Sequence, residues 1–244
     1  VWPVGFTTAS YKEIIKDGAF FNSFWISIQR VAIATPITLI VTILMAYPLS
    51  KSKHVFSGKN FVMWTLIFCM LFNGGTVPWY ICMKNYGLMD SLWGLILSGS
   101  LPMYNVILVM NFFKNLPKEL EEAAIVDGAG QWRILFSIIV PCSVPVIATI
   151  TLFVSVYHWN EYFQGLVLSN TEAHYPLQTY IKQIVVTLPA GTSLSTEQLI
   201  KFSQLSNKSL NAAKVFITML PMLVVYPWIQ RYFVTGIMIG AVKE

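Results

Sequence analysis

Hydrophobic positions run in long blocks along this chain, at 24–49, 61–81, 92–113, 134–157 and 215–233, each bounded by charged or turn-forming residues. A hydrocarbon layer of about 30 Å needs roughly 20 apolar residues of helix, so each block predicts a membrane span. Apolar and polar residues do not alternate over segments of about 10 residues, as they would in an outer-membrane barrel. The pattern therefore predicts an all-α polytopic helix bundle, one transmembrane domain over 1–244. Composition agrees: 55% of the 244 residues are hydrophobic, only 11% are charged, and the mean hydropathy is +0.61. A soluble domain would carry roughly a quarter charged residues. The sixteen Phe and eight Trp exclude a disordered chain.

The net charge of +5 comes from Lys and Arg spread along the chain rather than gathered into one patch, so nucleic acid is not the partner it predicts. These cations instead orient the bundle, because short cytoplasmic loops retain Lys and Arg. Lys51, Lys53 and Lys59 place the first link inside; alternation puts the Lys84 to Asp90 link outside, 114–133 inside, 159–214 outside, and Lys243 inside. Val1 then starts outside, in a chain with no initiating Met and no signal-peptide pattern. A further N-terminal helix is expected, making six spans with both ends cytoplasmic, and the amphipathic stretch 11–21 becomes an external link. Arg30, near the outer end of the first span, is expected to snorkel to the headgroups. Pro36, Pro102, Pro141, Pro145, Pro221 and Pro227 predict kinks. Cys69, Cys82 and Cys142 share no CxxC spacing and are read as packing residues, with no disulfide or metal site.

The inside segment 116–130 predicts a short helix lying across the cytoplasmic face. Pro117 suits a first turn, Glu119, Glu121 and Glu122 complement the positive end of its dipole, and Gly128 and Gly130 stop it. Leu120, Ala123, Ala124 and Asp127 recur at spacings of three and four, a small stripe that admits another backbone closely.

The string Glu122-Ala123-Ala124, three residues, Gly128, nine residues, Ile138, one residue, Val140-Pro141 resembles the EAA loop of permease subunits from binding-protein-dependent ABC importers. Val140, where that pattern has Leu, is the one departure. The resemblance implies a coupling helix, Glu122, Ala123, Ala124, Asp127 and Gly128, that docks on a partner ATPase and transmits its closure to the bundle. Phe72 through Pro78, His158-Trp159-Asn160, Tyr175 through Gln178 and the ending from Gln230 to Gly240 are similar to maltose-type carbohydrate importers, most of all the branch for oligosaccharides from complex polysaccharides. This implies a type I importer permease paired with a second homologous permease, two ATPase subunits that bind ATP and Mg, and an extracytoplasmic sugar-binding protein, all at a bacterial plasma (inner) membrane. It also implies a short external helix, here within 176–188, and transport by alternating access.

The residues hold no enzyme chemistry of their own. Gly58-Lys59 is followed by Asn60, which rules out a phosphate-binding loop, and His54, His158 and His174 form no catalytic spacing. Asn73, Tyr104, Asn105, Asn111, Tyr157, His158 and Asn160 are the candidates for the substrate path, since sugars are held by aromatic faces and by amide or hydroxyl groups. Hydrogen bonding between helices competes with that role at each. Trp79, Trp159, Tyr162 and Trp228 are read as interfacial anchors. Two rival functions remain open: a permease for peptide, amino acid or ion, and a stand-alone secondary transporter. The latter would place paired carboxylates at mid-membrane, whereas no acidic residue lies at a span centre and Glu161 sits at an outer end.

Overall fold

The computed structural model describes residues 9–99, 101–186 and 212–224. Among them all regular structure is helical. A short helix α1 (Ala9–Lys16) leads into α2 (Gly18–Ser50), started by Asp17, whose side chain accepts from the Phe20 backbone N–H at 3.1 Å. The predicted link 11–21 is therefore split: Phe20 and Phe21 belong to α2, which begins six residues earlier than the hydrophobic block. At 1.5 Å per residue, 33 helical residues reach roughly 50 Å, ample for a membrane. Pro36 and Pro48 leave α2 unbroken.

Two other predicted spans are bent. The block 61–81 divides into α3 (Lys59–Leu71) and α4 (Thr76–Asn85), turned 115° about Gly74-Gly75, where Gly75 adopts φ +87°. The block 134–157 divides into α8 (Gln131–Ile134), a π-helical turn at Leu135–Ile139, α9 (Val140–Cys142) and α10 (Val144–Asn160), with an 81° bend where Pro141 and Pro145 interrupt the ladder. The block 92–113 is two pieces, α5 (Leu92–Leu97) and α6 (Met103–Lys114), separated at Pro102. One described helix is long and apolar enough to span alone, and up to three do so if each bent pair is one span. Of the last block only α13 (Ala212–Val224) is described; 187–211 and 225–244, with Trp228, Pro227, Arg231, Lys243 and the Gln230 to Gly240 motif, lie outside the described residues.

Helix α2 is the central post, packed by α6 and α10. Along its middle the buried face reads Ser23, Ser27, Arg30, Ala34, Thr38, Thr42 and Ala46, small residues at intervals of three and four interrupted by one arginine, with Phe20, Tyr47 and Leu49 buried toward its ends. Lipid is as apolar as Leu, so helices in a membrane associate through close backbone approach along such a stripe, while large apolar side chains turn outward. Thr35 Oγ1 meets Ser155 Oγ of α10 at 3.3 Å. Around the lower half lies one core of Ala46, Leu66, Val106, Val109, Phe113, Ala124, Ile139 and Ile150; around the upper half lies a smaller one of Ile14, Phe20, Trp159, Leu177 and Ala213. Cys69, Cys82 and Cys142 are exposed on the chain surface, which corrects their reading as packing residues.

The Asp17 end of α2 is closed by α11 (Phe163–Leu168), a 3-10 turn at Glu172–His174 and α12 (Leu177–Val186). Helix α12 falls within the 176–188 expected from the sequence. It seats on α11 through Gly165, where an added Cβ would lie 2.2 Å from Thr179 Oγ1 and 2.6 Å from Pro176 Cδ.

Candidate functional site

The helix predicted in 116–130 is α7 (Lys118–Val126). Pro117 stands just before its first turn, and Glu119 and Glu121 lie within that turn. It stops because Gly128 enters the left-handed region at φ +76°, while the Ala129 N–H reaches back to the Ala124 carbonyl at 2.9 Å. Its stripe divides: Ala124 is buried against the lower core, whereas Leu120, Glu122, Ala123, Val126, Asp127 and Gly128 are exposed. Val126 is 86% exposed and, with Leu120 and Ile125, sets apolar side chains beside the acidic and small residues of the exposed surface.

Helix α7 is tied to α2 by an ion pair. Lys51 Nζ donates to Glu121 Oε1, and the same ammonium sits 4.1 Å from the Tyr47 ring centroid. Lys59 Nζ donates to the Lys51 carbonyl, and the Tyr47 hydroxyl donates to Gln131 Oε1 at 2.8 Å. Lys51 and Lys59, which the sequence marks as orientation signals, thus also brace the helix. Glu121 is thus engaged inside the chain, whereas its neighbour Glu122 is exposed.

At the opposite end the chain is buttoned by a largely enclosed ion pair. Asp17 accepts from Lys214 Nζ at 2.8 Å and from the Tyr180 hydroxyl at 2.6 Å, joining α2, α12 and α13. Burial opposes ionisation of Asp17, but the hydrogen bonds from Lys214, Tyr180 and the Phe20 N–H outweigh it and hold the carboxyl below its usual 3.8. Burial and the neighbouring Asp17 push the Tyr180 phenol up. Asp90 is held low by His174 at 2.9 Å and by the Asn170 N–H.

Between the two ends is a polar group that corrects the snorkelling assigned to Arg30. The Arg30 side chain is fully buried: Nη1 lies 3.3 Å from Glu161 Oε2 and Nη2 donates to Gln164 Oε1. Glu161 also accepts from the Gln164 backbone N–H, at 3.0 Å to each carboxylate oxygen, which caps the start of α11. The burial of Arg30 is tolerable because a carboxylate neutralises the guanidinium and Nη1 and Nη2 find acceptors, while Nε has no hydrogen-bond partner among the described residues. The sequence signal was available in Glu161, just past α10, and Gln164, in the first turn of α11, but their spatial partner is not readable from spacing. Among the described residues no three His, Cys, Asp or Glu side chains are grouped to hold a metal ion.

The candidate path residues do not form one cluster. Tyr157 and Asn105 line a cavity of about 400 Å³ bounded by Gly99, Pro102 and Phe153. Asn160 lines a separate, mainly apolar cavity of about 430 Å³ with Trp159 and Gln178, and its amide donates to the Val156 carbonyl at 3.0 Å. Asn73 Oδ1 accepts from the Gly75 N–H at 2.9 Å and so forms the α3–α4 corner. Tyr104 and Asn111 are exposed, and His158 is buried with neither ring nitrogen partnered among the described residues. Trp159, read as an interfacial anchor, is buried, donates to the Thr218 carbonyl at 3.2 Å and meets Phe24 edge-on, so it locks α13 to α2. Trp79 stacks on Phe163 with centroids 6.3 Å apart.

Residues 3–239 match the family described as binding-protein-dependent transport system inner membrane component. The chain belongs to that family. It is a membrane transport component, not an enzyme in itself, and a type I permease bundle. Protein LplC of Bacillus subtilis (strain 168) is 37% identical over 243 residues, which cover 100% of this chain and 81% of LplC. The polygalacturonan/rhamnogalacturonan transport system permease protein YtcP of the same organism is 34% identical, covering 99% of this chain and 83% of YtcP. A chain in the crystal structure of a bacterial ABC transporter involved in the import of the acidic polysaccharide alginate superposes with a TM-score of 0.88 at 30% identity, covering 96% of this chain and 82% of that one.

Proposed function

We propose that this permease forms half of the translocation pathway of an ATP-driven oligosaccharide importer and is driven through α7. The observation that carries the reading is the exposed face of Glu122, Ala123, Val126, Asp127 and Gly128 on a helix braced from behind by Lys51 and Ala124. Such a face transmits force because its back is fixed while its front accepts a partner. The alanine leaves room for close approach and Glu122 offers an unshielded carboxylate to a basic groove. In this reading two ATPase subunits bind ATP and Mg and hydrolyse the nucleotide, and a second, homologous permease completes the pathway in a bacterial plasma membrane crossed several times. An external binding protein delivers cargo to the Asp17 end.

Closure of the ATPases brings the two coupling helices together and the bundles rock as bodies about the central α2. Broken helices at Gly74-Gly75 and at Pro141 to Pro145 supply local joints without loosening the small-residue contacts of α2. The names of YtcP and of the alginate importer support an oligosaccharide cargo rather than a peptide or ion. The test is the reconstituted complex carrying Glu122→Ala or Gly128→Val. Uptake and binding-protein-stimulated ATP hydrolysis should both fall at least tenfold while the subunit still inserts; normal uptake with both positions altered refutes the coupling role.

A further inference from the structure

We propose that the cavity between α5, α6 and α10 is a cargo-binding subsite in which Tyr157 is held as a hydrogen-bond donor and Asn105 as its companion, selecting an oligosaccharide oxygen. The proposal rests on the permease reading above and adds a location and a polarity to it.

The polarity follows from one residue that has donors and nothing else. Arg30 is buried and carries N–H groups only, so the Gln164 atom facing it must be the carbonyl oxygen. That choice leaves the Gln164 amide nitrogen facing Tyr157, where it donates to the phenolic oxygen at 3.1 Å. The oxygen of Tyr157 is then an acceptor toward the protein, and its own O–H proton is directed to whatever fills the cavity. Arg30 polarises the line of hydrogen bonds, which strengthens the donor at its far end.

Asn105 supplies the second, independent observation. It is 4% exposed and lines the same cavity beside Tyr157 and Pro102. Its amide can both donate and accept, so it can pair with a ligand oxygen that enters the cavity. Gly99 keeps the mouth clear: a Cβ there would lie 2.8 Å from the Tyr157 ring and 2.9 Å from its hydroxyl. A phenolic donor, a two-way amide and apolar walls from Phe153 and Pro102 match a sugar ring bearing hydroxyl or carboxylate oxygens.

Saturation-transfer NMR on the complete importer in nanodiscs, without binding protein, tests this with trigalacturonate and maltotriose as probes. At least one probe should bind the wild type, and Tyr157→Phe and Asn105→Ala should each weaken it roughly five- to tenfold, the worth of one hydrogen bond. Tyr157→Phe keeps the ring and its packing, so a loss there reads the hydroxyl and not the fold. A preference for trigalacturonate identifies a carboxylate as the recognised oxygen, and equal binding identifies a hydroxyl. Wild-type affinity in both variants, or no binding of either probe to the wild type, overturns the subsite. ATP hydrolysis stimulated by the binding protein is measured alongside: its presence keeps the permease reading standing when the subsite fails, and its absence removes that reading instead.

Discussion

The Arg30 guanidinium and the Glu161 carboxylate, 131 residues apart in the chain, meet at 3.3 Å with Arg30 wholly enclosed. Removing one partner strands the other charge away from water. Glu161→Leu is therefore expected to destabilise the subunit by about 3 kcal/mol, the low end for a buried pair because the carboxylate keeps 12% side-chain exposure. Arg30→Met added to Glu161→Leu should recover much of that loss. Thermal unfolding of the four members of this cycle checks it: a double variant that melts no higher than either single one shows that the two charges are not an energetic unit.

Gly128 lies at φ +76° with open space around the position of a Cβ. Its substitution strains the backbone without a clash, at about 1–2 kcal/mol for a branched residue and less for Asn, which tolerates the left-handed region. Gly128→Asn should retain more stimulated ATP hydrolysis than Gly128→Val at equal amounts in the membrane. Equal activity of the two variants argues against a conformational cause.

Lys51 braces α7 through Glu121. Lys51→Ala should lower uptake several-fold and leave insertion intact, and Glu121→Ala should do the same. Because both remove one link, the double variant should be no worse than either single one. Additive losses in uptake assays would show that the two residues act separately.

The Asp17 carboxyl, held below 3.8 by Lys214 and Tyr180, makes the α2, α12 and α13 junction sensitive to acid. A lowered folded value means that the charged form is favoured by folding, so its stabilisation is complete above pH 3.8 and disappears as the pH falls through the lower folded value. The gap in melting temperature between wild type and Asp17→Asn should be open at pH 7 and should close below pH 3.8. A gap that stays constant across this range excludes the pair as its source.

Periodicity and composition were enough for an all-helical membrane bundle, because lipid demands helices satisfied within themselves and long apolar runs leave few other choices. The Glu122 to Pro141 string and the glycine at 128 likewise declared a stopped helix between spans, since capping and left-handed geometry are local properties. Partnership across the chain was not local. Arg30 looked like a snorkelling cation, Glu161 like a surface acid and Trp159 like an interfacial anchor, and each changed meaning when α10, α11 and α13 closed over the Asp17 end of α2. Which face of α2 turns inward was decided in the same way. A stripe of Ser, Thr and Ala carries almost no hydrophobic signal, yet along the middle of α2 it lets α6 and α10 approach closely, so tertiary packing selected it there over larger side chains such as Trp25 and Ile40, which face outward.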